Sequence, residues 1–150
     1  MIYAWDNYPK EQFPKLWNWV SNQIFLGTIS MPLVAFDETT AKTPECGKWL
    51  KDEDISILHP DTAILRCAAR LKALLEIDGN RYGAGVGEND LIIIATAEIK
   101  GLPLVSNESP QLTLPKSLSK YKIPAVCGYK KPPTIVIDFV SFIKQSKATF

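Results

Sequence analysis

Gly87-Glu88-Asn89-Asp90-Leu91-Ile92-Ile93-Ile94-Ala95-Thr96-Ala97-Glu98-Ile99-Lys100-Gly101-Leu102-Pro103-Leu104-Val105-Ser106 is the stretch on which the fold turns. Its first half is ambiguous. Leu91-Ile92-Ile93-Ile94 is apolar and its isoleucines are β-branched, as in a buried strand, whereas Ala95 to Gly101 reads as helix ending on a glycine cap. A single buried helix starting near Asp90 accounts for the whole run, with Leu102–Ser106 as the strand that follows.

Working outward, four of the eight glycines fall between Asp78 and Asn89, which marks a loop ahead of that helix. Before the loop, Ile64, Leu65, Ala68, Leu71, Leu74 and Leu75 form an apolar stripe that predicts a helix from Thr62 to Ile77, with Asp61 as its N-cap. Further upstream, Phe13, Leu16, Trp17, Val20 and Ile24 recur at helical spacing, after Pro9 or Pro14 and before Gly27. Thr28–Ser30 and Ile55–Leu58 read as strands, and Leu33–Ala41 and Glu45–Lys51 as short helices. Downstream, residues 107–133 read mostly as loop, Thr134–Ile137 as a last strand, and Asp138 as the cap of a last helix. Strands alternating with helices predict an α/β domain with a mainly parallel sheet, whose functional groups gather at the carboxyl ends of the strands.

Length and composition narrow the classes. At 150 residues the chain is expected to form one domain over 1–150, since halves would bury poor cores. Seventeen basic against sixteen acidic residues leave a net charge of +1, so any nucleic-acid contact must come from a local patch. No run of about 18 apolar residues predicts a membrane span. Cys46, Cys67 and Cys127 are odd in number and lack a C-x-x-C spacing, which argues against a disulfide framework or zinc site and fits the cytoplasm. With His59 as the one histidine, a zinc hydrolase is disfavoured.

Three acids stand where chemistry could gather: Glu38 on a helix after the Thr28–Ser30 strand, Asp90 at the start of the buried helix, and Glu108 just past the Leu102–Ser106 strand. Clustered carboxylates hold a hard cation, Mg²⁺ or Mn²⁺, which can activate water against a phosphodiester. The plainer reading makes Asp90 a helix cap and leaves Glu38 and Glu108 solvated. Gly83-Ala84-Gly85-Val86-Gly87 follows a helix and is a weak dinucleotide fingerprint; a hinge delivering Asp90 is the other reading. Lys116, Lys120, Lys122, Lys130 and Lys131, interleaved with Tyr121 and Tyr129, could follow a phosphate backbone or form a solvated loop. Trp17 fits the core stripe, while Trp5, Trp19 and Trp49 fit none.

Several segments taken in order carry a resemblance. Tyr3-Ala4-Trp5, Tyr8-Pro9, Phe13-Pro14 and Leu16-Trp17, then Gly87-Glu88-Asn89-Asp90-Leu91 with Ile94-Ala95-Thr96-Ala97, then Val105-Ser106-Asn107-Glu108, then Lys122-Ile123-Pro124-Ala125-Val126-Cys127 together resemble a PIN-domain family of formerly unknown function related to VapC-type toxins. The resemblance implies a Rossmann-like three-layer α/β domain with a mainly parallel sheet, and a Mg²⁺- or Mn²⁺-dependent nuclease, mostly of RNA. It implies Glu38, Asp90 and Glu108 as catalytic metal ligands in the second, third and fourth acidic positions. Ser106 or Asn107 would orient a carboxylate or water, and Lys116 and Lys122 join them as substrate-binding candidates. A cognate antitoxin is the implied protein partner, and a homodimer is left open. The family's first Asp lies on a central strand ahead of the segment matching Ile2–Trp5, and Asp6 is a poor substitute; the expectation is a native start upstream.

Three functions follow: a toxin-type ribonuclease, a non-catalytic PIN-like module binding RNA or an antitoxin, and a small nucleotide-binding protein built on the glycine loop.

Overall fold

The structure is a computed structural model describing residues 1–150. The chain forms two compact units, one from Met1–His59 with Ala148–Phe150, the other from Pro60–Lys147.

The first unit opens on α1 (Ile2–Asn7), followed by α2 (Pro14–Phe25). Pro14, and not Pro9, starts α2, occupying a position where its missing N–H is no loss. Leu16, Trp17, Val20 and Ile24 are buried along α2 as their spacing predicts, while Phe13 precedes the helix and stays exposed. β1 (Ser30–Pro32) begins two residues later than expected. The physical reason is that the Thr28 and Ile29 N–H groups both donate back to the Gln23 carbonyl, closing the end of α2. α3 (Leu33–Lys42), α4 (Pro44–Asp52) and β2 (Ser56–Leu58) complete the unit, and β1 pairs with β2 in parallel with Met31 opposite Ile57.

Trp49, which fits no apolar stripe in the sequence, is buried in this unit's core, and Trp5 is half-buried beside it. With Trp17 they form an aromatic triangle whose ring centroids lie 4.8 to 5.9 Å apart, the range in which aromatic edges and faces attract. Trp17 Nε1 donates to the Tyr8 carbonyl at 2.6 Å, and the Lys10 ammonium sits 4.9 Å from the Trp49 ring. Trp19 packs edge-on against Phe150.

The second unit is built on α5 (Thr62–Leu74) and α6 (Glu88–Lys100). Asp61 caps α5, accepting from the Ile64 N–H at 2.9 Å. The helix ends three residues before the expected Ile77: Glu76 takes a positive φ of 56°, and the Ile77 N–H returns to the Lys72 carbonyl. Leu65 is exposed, so the buried stripe is Ile64, Ala68, Leu71 and Leu75. It packs on Leu91, Ile94 and Ala95 of α6. The ambiguous stretch is therefore helix, and Gly101 closes it in the left-handed region at φ 64°.

β3 (Leu104–Val105) follows, shorter than the expected Leu102–Ser106 because the Leu102 N–H is taken by the Ala97 carbonyl in the helix end. A 3-10 turn (Leu118–Lys120) and α7 (Ile123–Tyr129) lie in the segment expected to be mostly loop. Pro124 is tolerated there because it falls in the first turn. β4 (Val136–Ile137) pairs in parallel with β3, Leu104 opposite Val136, and α8 (Phe139–Ser146) starts from the Asp138 cap.

The protein is thus an α/β fold of eight helices and short parallel strands. One mainly parallel sheet was expected; the strands form two parallel two-stranded sheets, β1–β2 and β3–β4. No helix is long and apolar enough to cross a membrane.

Candidate functional site

Asp90 sits in the first turn of α6, where a carboxylate is favoured by the helix dipole. Its Oδ2 accepts from the Gly87 N–H at 2.8 Å, so one oxygen is committed to holding the helix start. The glycines ahead of it have a packing role. A Cβ at Gly85 would collide with the Tyr121 carbonyl oxygen, and the Val86 N–H donates to that same oxygen at 2.9 Å. The loop's close approach is thus to its own chain, which accounts for Gly85 without a bound phosphate.

The carboxyl ends of β3 and β4 open into a cavity of about 260 Å³ lined by residues including Ser106, Glu108, Pro124, Asp138 and Ser141. Glu108 reaches it because the chain turns after β3, a turn in which the Glu108 N–H donates to Ser106 Oγ at 3.3 Å. Its Oε2 accepts from the Ile123 N–H at 2.8 Å and so holds the start of α7. Asn107 turns the other way, its Oδ1 accepting from the Phe139 N–H at 3.2 Å, at the start of α8. Of the candidates, Ser106 and Glu108 share this cavity, and neither Asn107 nor Asp90 lines it. Asp138, read only as a cap, faces it too. The Ser141 N–H, donating to Asp138 Oδ1, holds the Asp138 carboxyl below the usual carboxylate range.

Glu38 belongs to the first unit, on α3 and half-buried. Lys116 is exposed on the loop before the 3-10 turn, and Lys122 is the residue preceding α7, its backbone N–H donating to Gln111 Oε1 at 2.8 Å. Lys130 leaves the expected basic patch altogether. It is buried, its Nζ 2.8 Å from Glu98 Oε2 and donating to the Pro132 carbonyl at 2.7 Å. Arg70 Nη2 holds the other Glu98 oxygen at 2.6 Å. Burial works against the charge on Glu98, but these cations outweigh it and keep its carboxyl below its ordinary range. Sequence reasoning passed over Glu98; the available signal was one acid following the apolar Leu91–Ala97 run.

The donor chemistry fits a hard cation. Asp90 and Glu108 each commit one oxygen to a backbone N–H and keep the other, and oxygen ligands suit Mg²⁺ or Mn²⁺. Within neither unit do three His, Cys, Asp or Glu side chains gather to hold a metal. Burial raises the thiols of Cys46 and Cys127 to about 11, and that of Cys67 upward as well, which disfavours the reactive thiolate at each.

Acids at and beyond the carboxyl ends of parallel strands define an α/β protein with a candidate site at those ends. The chain belongs to the family described as Domain of unknown function (DUF4411), whose model matches residues 1–150. No curated protein and no solved structure matches it.

Proposed function

We propose that this chain is a PIN-like, metal-dependent ribonuclease of toxin type. The observation that carries the reading is Glu108, presented in a cavity at the carboxyl ends of two parallel strands. Asp90 and Glu108, both in the second unit, would hold Mg²⁺ or Mn²⁺. The bound ion supplies an activated water and stabilises charge on the phosphodiester. The chain's own residues do the rest. The Gly87 and Ile123 N–H groups fix the Asp90 and Glu108 carboxylates, and Lys116 and Lys122 are the cations for the RNA backbone.

The test is RNA cleavage with Mn²⁺ or Mg²⁺, with EDTA, and in Asp90→Asn. The asparagine keeps an oxygen for the Gly87 N–H, so the helix start is retained. Cleavage is expected to require metal and to fall by at least ~10²-fold in the variant, the scale of losing one charged group at a reacting phosphate. Cleavage that survives both EDTA and the substitution sinks the proposal.

A second reading, a non-catalytic module binding RNA or a cognate antitoxin, is favoured by one observation: both carboxylates already serve as backbone caps. Partner binding without any metal-dependent turnover would select it.

A further inference from the structure

The cavity at the ends of β3 and β4 has two unlike surfaces. Pro110, Pro124 and Val136 give it flat or branched apolar walls, while Glu108, Asp138 and Gln145 bring hydrogen-bonding groups. No lysine or arginine lines it. Two carboxylates repel a phosphate, so the guest that fits is uncharged or cationic. The volume, about 260 Å³, lies just below the ~300–1,000 Å³ of sites that enclose whole drug-sized ligands. One flat ring system is the matching size.

We infer that this cavity binds a guanine base of single-stranded RNA, read by the Asp138 carboxylate. The inference rests on the RNA-directed reading above and adds a base preference to it. Guanine alone among the RNA bases sets two N–H donors side by side on its Watson–Crick edge, N1–H and N2–H. A carboxylate is an acceptor with two oxygens and about four lone-pair sites, so it matches that edge even with sites given to the Ser141 N–H and the Ser141 side chain. Adenine and cytosine place an acceptor nitrogen beside their donor, and uracil flanks its one N–H with carbonyls; each turns acceptor on acceptor. Asp138 is exposed and stays ionised at neutral pH, since the Ser141 N–H favours its charged form. Ser141 and Gln145 are four residues apart on α8, hence on one face. The Gln145 amide can donate to guanine O6 while the prolines cover the ring face. Unstacked bases read on this edge are the usual route to sequence-specific RNA recognition.

The experiment is an NMR titration of the full chain in EDTA with GMP, AMP, CMP and UMP, followed at the amides of Ser141 and Gln145. GMP is expected to move both and to bind about tenfold tighter than the others, the low end of what one bidentate base contact provides. Asp138→Asn keeps the helix cap, because asparagine caps as well as aspartate, and is expected to lose the preference. Equal binding of all four, silence at those amides, or an unchanged preference in Asp138→Asn overturns the inference. So does binding of N-acetylargininamide there with no nucleotide binding, which would assign the cavity to a protein partner's arginine. Because the titration needs no metal, the two readings fail separately: guanine binding with no RNA cleavage once Mn²⁺ or Mg²⁺ is supplied removes the nuclease, and metal-dependent cleavage with no preference for guanine in the titration removes the base pocket.

Discussion

Lys130 is the most expensive residue to bury in this chain, and Glu98 is what makes its burial tolerable. The ammonium is fully enclosed, with the Glu98 carboxylate at 2.8 Å and the Pro132 carbonyl at 2.7 Å. Removing one partner of a buried pair leaves the other charge uncompensated, typically ~3–5 kcal/mol. Glu98→Gln is therefore expected to lower stability by about that amount in urea at pH 7. Adding Lys130→Met should recover part of the loss, because the second substitution removes the stranded charge. The pH dependence has a definite sign. The Glu98 carboxyl titrates lower in the folded chain than its ordinary value, so its contribution is complete above the unfolded value of ~4.3 and is lost as pH falls through the folded one. The gap between the two proteins should close in acid; equal urea midpoints at pH 7 would show that the pair contributes nothing. Lys130 could not be singled out from the other lysines of its segment, because what buries it is an acid 32 residues earlier.

At the scale of elements, glycines separate close packing from mere permissiveness. Gly85→Ala drives a methyl into the Tyr121 carbonyl, a backbone atom that cannot rotate away. A loss of ~1–3 kcal/mol is expected, as for other overpacked sites. Gly128→Ala has the opposite sign. It lies inside α7 with nothing near the added Cβ, so the alanine should stabilise by ~0.5–1 kcal/mol through helix propensity. Thermal unfolding of the two variants checks both signs at once, and a stabilising Gly85→Ala would refute the packing account of the loop. The same two residue types explain what the sequence concealed. α5 and α6 were legible because Asp61 and Gly101 mark their ends and apolar residues recur between them. α7 was not, because Pro124 and Gly128 both read as breakers although one sits in the first turn and the other is only a weak helix former. α1 is six residues long with no side-chain cap, too short for its spacing to show. Trp49 lies on a nine-residue helix whose buried face becomes visible only once Gly47 is seen to let it approach Thr40 closely.

For the whole molecule, position was more legible than bonding. Asp90 and Glu108 could be picked out because acids beside a glycine loop and a strand end are unusual. That their oxygens hold the Gly87 and Ile123 N–H groups depends on a turn and on a segment 15 residues away. The cavity that brings Asp138 beside Glu108 depends on a strand pairing that spans about thirty residues. What secures both units is side-chain packing, since each sheet has two strands of two or three residues. Thiol chemistry tests that packing throughout the chain, because Cys46 lies in one unit and Cys67 and Cys127 in the other. Burial raises Cys46 and Cys127 to about 11, so at pH 8 both stay protonated and enclosed, and the thiolate is the reactive form. Iodoacetamide at pH 8 should leave these two unlabelled over a time in which a small free thiol reacts completely, and should label all three cysteines once urea unfolds the chain. Rapid labelling of Cys46 alone in the native protein would show that the packing of the buried face of α4 opens; rapid labelling of Cys127 would show the same of the packing between α6 and α7.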